Sequence, residues 1–309
     1  MYHIIINPIS GKGKTVFHLP VMVEFFKKNV MDVTVHQTQH IGHGYEIAKT
    51  ICTSDSEGII GIGGDGTFQE IVSGMVDAFP HGSKIPVPLG VFPGGSGNDF
   101  VMALEGNKSL ALNKYRQKVE IAVANFFEAV VQKRTIPIDV LTANNTAFLN
   151  IGNIGLDARI VRNAAELKNK HGGRAYLASV YKSIAQHKNI NLTIRVNGEE
   201  FQRPVTLFAV CNGQYYGGGI RISPNASISD GKITLCIVNA MSRPKTMVLF
   251  PSIMVEKHMK LKAVNHIECT EVSVTLPPGV ETLCLDGNLF VKEGTINFKI
   301  LPGVLDCFK

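Results

Sequence analysis

Gly61-Ile62-Gly63-Gly64-Asp65-Gly66 is the stretch on which the reading of the fold turns. A short apolar run, Gly58-Ile62, leads into it and a segment with helical spacing, Thr67-Phe79, leaves it, so the glycines make a strand-to-helix turn. The same grammar repeats on either side. Strands are expected at Tyr2-Asn7, Val33-Gln37 and Val87-Phe92, with helices after Gly13 and over His43-Ile51. Short apolar strands alternating with helices build a parallel sheet whose turns gather at one edge, and ligands bind at that edge. Pro20 falls where the first helix ought to continue, which predicts a kink or a late start.

From Arg134 the pattern changes to period-two alternation, in Leu192-Val196, Val272-Leu276 and Ile296-Ile300, which reads as an antiparallel sheet or sandwich. Asn197-Gly198 and Asp286-Gly287 are hairpin dipeptides, and helices interrupt at about Leu156-Lys168, Ala175-His187 and Lys245-Lys257. The chain therefore divides into an α/β domain, residues 1–132, and a β-rich domain, residues 133–309, whose final strand can pack back on the first. Just before the boundary, Asn113-Lys133 reads as an amphipathic helix with Val119, Val123, Phe126, Phe127 and Val130 on one side. Core packing is the role expected of it, with membrane contact the alternative.

Composition fits two packed domains: 309 residues, 45% hydrophobic and 18% charged, carry more apolar material than one core uses. The 30 glycines and 14 prolines are scattered, which excludes a disordered or collagen-like chain. Thirty-one Lys and Arg against 25 Asp and Glu leave a charge of +6, which suits a polyanion, a nucleotide or an anionic membrane surface without choosing among them. Cys52, Cys211, Cys236, Cys269, Cys284 and Cys307 form no CxxC and read as reduced, cytoplasmic residues. No leader pattern follows Met1 and no run reaches the ~18 apolar residues of a membrane span, so any membrane work is expected from the surface.

Three glycine turns carry the chemistry. Asn7-Pro8-Ile9-Ser10-Gly11-Lys12-Gly13-Lys14-Thr15 invites a P-loop reading but fails on spacing, because the motif needs glycine where Pro8 stands. Gly61-Gly66 matches GxGxxG, yet no acidic residue ends the next strand to hold a ribose, and Asp65 inside the turn would repel a bare pyrophosphate. A carboxylate there suits a Mg²⁺ between it and the phosphates, or the positioning of a hydroxyl nucleophile. Pro93-Gly94-Gly95-Ser96-Gly97-Asn98-Asp99 is the third turn, at the same sheet edge.

On these residues the chain resembles the diacylglycerol kinase catalytic-domain family, which includes sphingosine kinases and bacterial lipid kinases. The matching stretches are Asn7-Pro8-x-Ser10-Gly11, Gly63-Gly64-Asp65-Gly66-Thr67 with Glu70 and Gly74, and Pro93 to Phe100. They continue through Asn150-Ile151-Gly152, Asn212-Gly213, Gly217-Gly218-Gly219 and Asp230-Gly231 to Asp286-Gly287. The resemblance implies a nucleotide-binding α/β domain, a β-sandwich that presents lipid, and an active site between them. It implies ATP contacts at Asn7, Pro8, Ser10 and Gly11, at Thr38, at Gly63, Gly64, Gly66, Thr67 and Glu70, and at Gly95, Ser96, Asn98 and Asp99. A Mg²⁺ site maps to Ser227, Asp230 and Lys232, the lysine through its carbonyl oxygen, with Asp65, Asp99 and Asp139 in a water-linked network around the cation.

One position departs from the family pattern, which reads Asp-Gly-Glu where this chain reads Asp286-Gly287-Asn288. Asn288 cannot accept a proton at neutral pH, which leaves Asp286 or Asp65 as the catalytic base. His36, His40 and His43, near Thr38, read as surface or capping residues rather than zinc ligands, and Lys168-Arg174 as a solvated basic loop with membrane contact the alternative. The leading expectation is an ATP- and Mg²⁺-dependent lipid kinase, cytoplasmic and peripheral to an anionic membrane, with diacylglycerol the default acceptor. A NAD kinase-like enzyme and a weakly active or silent nucleotide- or lipid-binding regulator are the alternatives. Nucleic acid is not expected as a partner, since no basic-aromatic module is present, and a homodimer is compatible with the sequence.

Overall fold

The computed structural model describes residues 1–53, 55–105, 115–156, 158–163, 175–280 and 282–309. Strand β1 (Tyr2–Ile6) lies between β2 (Val33–Gln37) and β3 (Gly58–Gly63), and β3 pairs with β4 (Leu89–Pro93), all in parallel. Helices cover both faces, so alternate residues of one strand serve two cores. Ile4 and Ile6 pack with Met22 and Phe26 of α1 (Leu19–Lys28) and with Phe126 and Val130 of α5 (Tyr115–Val131). Ile5 packs with Ala48 of α2 (His43–Ile51) and Phe68, Ile71 and Met75 of α3 (Asp65–Asp77) on the other side. The apolar side of α5 is thus core, with Val123 and Phe127 partly buried; the side chain of Val119 lies outside the described residues.

The start at α1 is late. Residues Ser10–His18 run as tight 3₁₀ turns broken by three left-handed residues, and α1 begins only at Leu19 with Pro20 in its first turn, where the missing N–H is not needed. α3 starts two residues earlier than its periodicity suggested, which makes Asp65 the first residue of the helix rather than part of the turn.

The second half is antiparallel. Strand β7 (Ile151–Gly155) and β8 (Ile190–Val196) flank β9 (Glu199–Cys211), and β15 (Thr282–Leu285) pairs β7 on one side and β16 (Asn288–Val291) on the other. Both expected hairpins form, with Asn197 and Gly198 at φ 52° and 82° and Asp286 and Gly287 at 46° and 88°, the left-handed pair a two-residue turn demands. Along β9, Phe208 and Val210 face a core between β-layers, while Leu207, Ala209 and Cys211 face one covered by the helices Ala175–Gln186 and Arg243–Met254. The N-terminal part of the expected 156–168 helix is described only to residue 163, and the basic loop Lys168-Arg174 lies outside the described residues.

The last strand, β17 (Thr295–Phe308), joins the two halves. It runs antiparallel to β14 (Glu271–Thr275) and to β5 (Thr135–Ala143), and near its end Cys307 pairs in parallel with Leu89 of β4. One continuous sheet results, and Ile138, Val140, Leu301 and Leu305 share a core with Phe68 and Ile71.

Candidate active site

The three glycine turns leave the parallel sheet at the carboxyl ends of β1, β3 and β4 and touch one another through backbone. Gly11 has φ 58°, and a Cβ on it would lie 2.3 Å from the Gly94 carbonyl oxygen, so no other residue fits between the first and third turns. Asn7 donates from Nδ2 to Thr67 Oγ1 (3.2 Å), which ties the first turn to α3. Asn98, itself left-handed at φ 56°, accepts the Gly95 N–H on Oδ1 (2.8 Å) and shapes the third turn.

A pocket of about 440 Å³ opens above the turns, lined by Asn7, Pro8, Ser10, Thr38, Gly64, Gly66, Thr67, Glu70 and Asn288. Glu70 directs both carboxylate oxygens at backbone, accepting from Gly42 N–H (2.9 Å) and Gly44 N–H (3.1 Å), so it fixes the loop between Thr38 and α2. In the same loop His43 Nδ1 accepts the Gln39 N–H (3.0 Å). Asn288 reaches in from the second half and donates from Nδ2 to Gly66 O (3.0 Å) and Gln69 Oε1 (2.8 Å).

A second cavity, a cleft also of about 440 Å³, lies between the halves and has three carboxylates in its lining, Asp65, Asp99 and Asp286. Each also holds a piece of chain. Asp65 Oδ1 accepts the Phe100 N–H (2.9 Å) at the start of α4 (Asp99–Leu104). Asp99 accepts Gly218 N–H (3.0 Å) and Gly219 N–H (2.7 Å) from the hairpin of β10 (Tyr215–Tyr216) and β11 (Ile220–Arg221). Asp286 accepts Leu149 N–H (2.6 Å), Asn150 N–H (3.0 Å) and Ile151 N–H (2.8 Å), using both oxygens. The rest of the wall includes apolar Ile151, Ile160 and Val161.

Burial of these groups outweighs their backbone hydrogen bonds. Burial raises the Asp65 carboxyl above the usual carboxylate range. Burial, then the charge of Asp65, pushes Asp99 up to about 8 despite its bonds to Gly218 and Gly219. Burial pushes Asp286 up to about 7, with Asp65 again adding to the rise. Burial and mutual repulsion therefore disfavour the ionisation of all three carboxyls at once. Beside Gly97 two of these oxygens converge: a Cβ on Gly97 would stand 2.8 Å from Asp65 Oδ2 and 3.0 Å from Asp99 Oδ2. Glycine keeps that space open.

Ser227, Asp230 and Lys232 share one turn before β12 (Ile233–Asn239) and are not among the residues lining the cleft. Asp230 Oδ1 accepts the Lys232 N–H (3.0 Å), and the Lys232 ammonium pairs with Glu268 (2.7 Å). Buried Asp139 anchors this turn, with Oδ2 accepting Gly231 N–H (2.7 Å) and Oδ1 accepting Gly303 N–H (2.7 Å). Burial, and among smaller causes the charge of Asp139, raises Asp230.

Residues 1–143 match the diacylglycerol kinase catalytic domain, and residues 151–309 match the YegS C-terminal NAD kinase beta sandwich-like domain. The chain belongs to the diacylglycerol kinase catalytic-domain family. It is 26% identical over 287 residues to a diacylglycerol kinase of Bacillus subtilis (strain 168), covering 92% of this chain and 88% of that protein. A diacylglycerol kinase of Staphylococcus carnosus (strain TM300) is 27% identical over 236 residues, 76% of this chain and 71% of its own. The crystal structure of a diacylglycerol kinase from Bacillus anthracis superposes with a TM-score of 0.72 at 22% identity, over 99% of this chain and 96% of that one, and shows the same fold. The family is one of lipid kinases, so the chain is a phosphotransferase by membership.

Sequence reading named Asp65, Asp99 and Asp286, and also Gly217-Gly218-Gly219 and Asn150-Ile151-Gly152, but not that Gly218 and Gly219 clamp Asp99 or that Asn150 and Ile151 hold Asp286. The Gln69 side chain beneath Asn288, and Ile160 and Val161 in the wall, carry no local motif, because they act across more than a hundred residues of chain or as part of a general apolar surface.

Proposed function

We propose that this protein transfers the γ-phosphoryl group of ATP to the hydroxyl of a membrane lipid, with diacylglycerol the first acceptor to try. The observation that carries this reading is the cleft itself, whose lining combines three carboxylates with apolar Ile151, Ile160 and Val161 and includes Ser96 and Gly97 of the third glycine turn. Backbone N–H groups of such turns favour phosphate, and the pocket lined by Ser10, Thr38, Gly64 and Thr67 has room for the nucleotide.

The donor set fits a hard cation in the cleft, where Asp65 Oδ2 and Asp99 Oδ2 converge on the space that Gly97 leaves open. Ser227, Asp230 and the Lys232 carbonyl oxygen offer further oxygen atoms on a turn that does not line the cleft. Mg²⁺ bound in the cleft would neutralise charge on the transferring phosphate. The chain's own residues do the rest. The glycine turns orient the phosphates, the apolar wall excludes water from the acceptor, and a carboxylate receives the hydroxyl proton. Backbone N–H groups hold both Asp65 and Asp286, so hydrogen bonding does not choose between them; Asp65 is preferred because it opens α3 directly after the Gly63-Gly64 turn that borders the phosphate pocket. Phosphoryl transfer depends mainly on positioning and charge stabilisation, so a glutamate at position 288 is not required for turnover.

An acceptor panel tests the reading: γ-labelled ATP and Mg²⁺ with mixed micelles of diacylglycerol, a sphingoid base or a monoacylglycerol, and NAD⁺ in solution. Label in a lipid, diacylglycerol first, is the expected result. Label in NAD⁺ alone, or nucleotide binding without transfer to any acceptor, contradicts it.

A further inference from the structure

The helix Arg243–Met254 is apolar on both sides. Its inward residues, including Leu249, Phe250 and Ile253, are buried with Ile220 and Ile222. Its outward residues recur at helical spacing as Pro244, Met247, Val248, Pro251 and Met254, followed by Val255, and all are exposed, Val248 at 73% and Val255 at 62%. A surface helix ordinarily turns charged residues to water, and one that is apolar all round is covered by something. At twelve residues it is too short to cross a bilayer, and no helix among the described residues is long and apolar enough to do so.

Positive charge brackets the stripe. Arg243 and Lys245 stand at one end and Lys257, Lys260 and Lys262 at the other, all exposed. The single acid between residues 241 and 263, Glu256, accepts a hydrogen bond from Arg221 Nη1 (2.9 Å). Arg243 and Lys245 lie in the first turn, where the helix dipole disfavours cations, so helix stability does not account for them.

We infer that this helix docks the protein on an anionic lipid bilayer, lying in the plane of the interface with Met247, Val248, Pro251 and Met254 among the acyl chains and the flanking cations against acidic head groups. Charge decides the occupant. A second copy using the same face would bring two sets of five cations together, whereas acidic lipid neutralises them. The helix packs on β11, and the turn that leads into β11 places Gly217 and Gly218 in the wall of the cleft, so docking there brings the cleft to the membrane. The inference rests on the lipid-acceptor reading for its purpose but is tested by binding alone.

The chain contains no tryptophan, so Val248→Trp installs a single reporter at an exposed site. Without nucleotide, its emission is expected to shift to the blue on adding phosphatidylcholine vesicles that contain phosphatidylglycerol, and not with phosphatidylcholine alone. In co-sedimentation, Val248→Asp and the double change Lys257→Glu with Lys260→Glu are each expected to weaken binding at least about tenfold, with an unchanged melting temperature because the sites are exposed. Turnover on a water-dispersed short-chain acceptor should be unaffected in these variants, which separates failure of docking from failure of the kinase reading. The inference is overturned by an unshifted reporter on anionic vesicles, by binding that the variants retain, by equal binding to neutral vesicles, or by a wild-type dimer that Val248→Asp dissolves.

Discussion

At Asn288 one amide nitrogen donates to Gly66 O and Gln69 Oε1 and so ties β16 to α3 across the domain boundary. Replacing it with Asp removes both donors and turns a carboxylate toward two acceptors. Asn288→Asp is therefore expected to lose about 1–3 kcal/mol in urea unfolding. Asn288→Glu meets the same two oxygens and should not raise kcat; a clear gain would show that a base is wanted at this position after all. Gly97 poses the opposite question, since its missing side chain is what leaves Asp65 and Asp99 a shared space. Gly97→Ala should fold normally and lose roughly a hundredfold in kcat, because a displacement of an ångström at a reacting centre costs about that much. Near wild-type turnover in that variant would mean the space is not used. Asp65 and the glycine turns were legible because turn chemistry is local. The clamp on Asp286 was not, because its donors at 149–151 lie more than 130 residues away in sequence.

Among the elements, the link between the helix Ala175–Gln186 and β8 holds a buried histidine. Burial, then the charge of Arg159, pushes His187 down to about 4, with Arg243 also contributing, and its Nε2 has no hydrogen-bond partner among the described residues. The unfolded chain binds a proton near pH 6.5 and the folded one does not until about 4, so this site costs stability as pH falls from about 7 toward 4. His187→Gln should flatten that part of the acid unfolding curve; a curve identical to wild type would place the acid sensitivity elsewhere. Hairpins and the late start of α1 were readable at this scale, since Asn-Gly, Asp-Gly and Pro impose their own backbone angles. The Ser10–His18 turns were not, because Lys12 is left-handed between two glycines against its own local preference, and Gly11 is fitted against Gly94 of the distant third turn.

For the whole molecule, β17 is the element that makes two halves one sheet. Leu305, Cys307 and Phe308 are buried in cores that include residues of the first half, and Cys307 pairs with Leu89. A chain stopped after Pro302 should lose its single cooperative unfolding transition and its near-ultraviolet dichroism, whereas retention of both would show the halves to be independent. The class of each half was legible from strand period, and the last strand was expected to pack back on the first half; that it does so as a partner of β4 was not legible, because period says which face is buried and nothing about which edge a distant strand joins. The central claim is that the cleft holding Asp65 performs phosphoryl transfer to a lipid hydroxyl. Its most direct test is single-turnover transfer from γ-labelled ATP to the best acceptor, comparing wild type with Asp65→Asn at matched nucleotide occupancy. Transfer by the wild type and a loss of about a hundredfold or more in the variant is the expected result, since removing a general base costs about 10²–10⁴. Equal rates in the two proteins would contradict it.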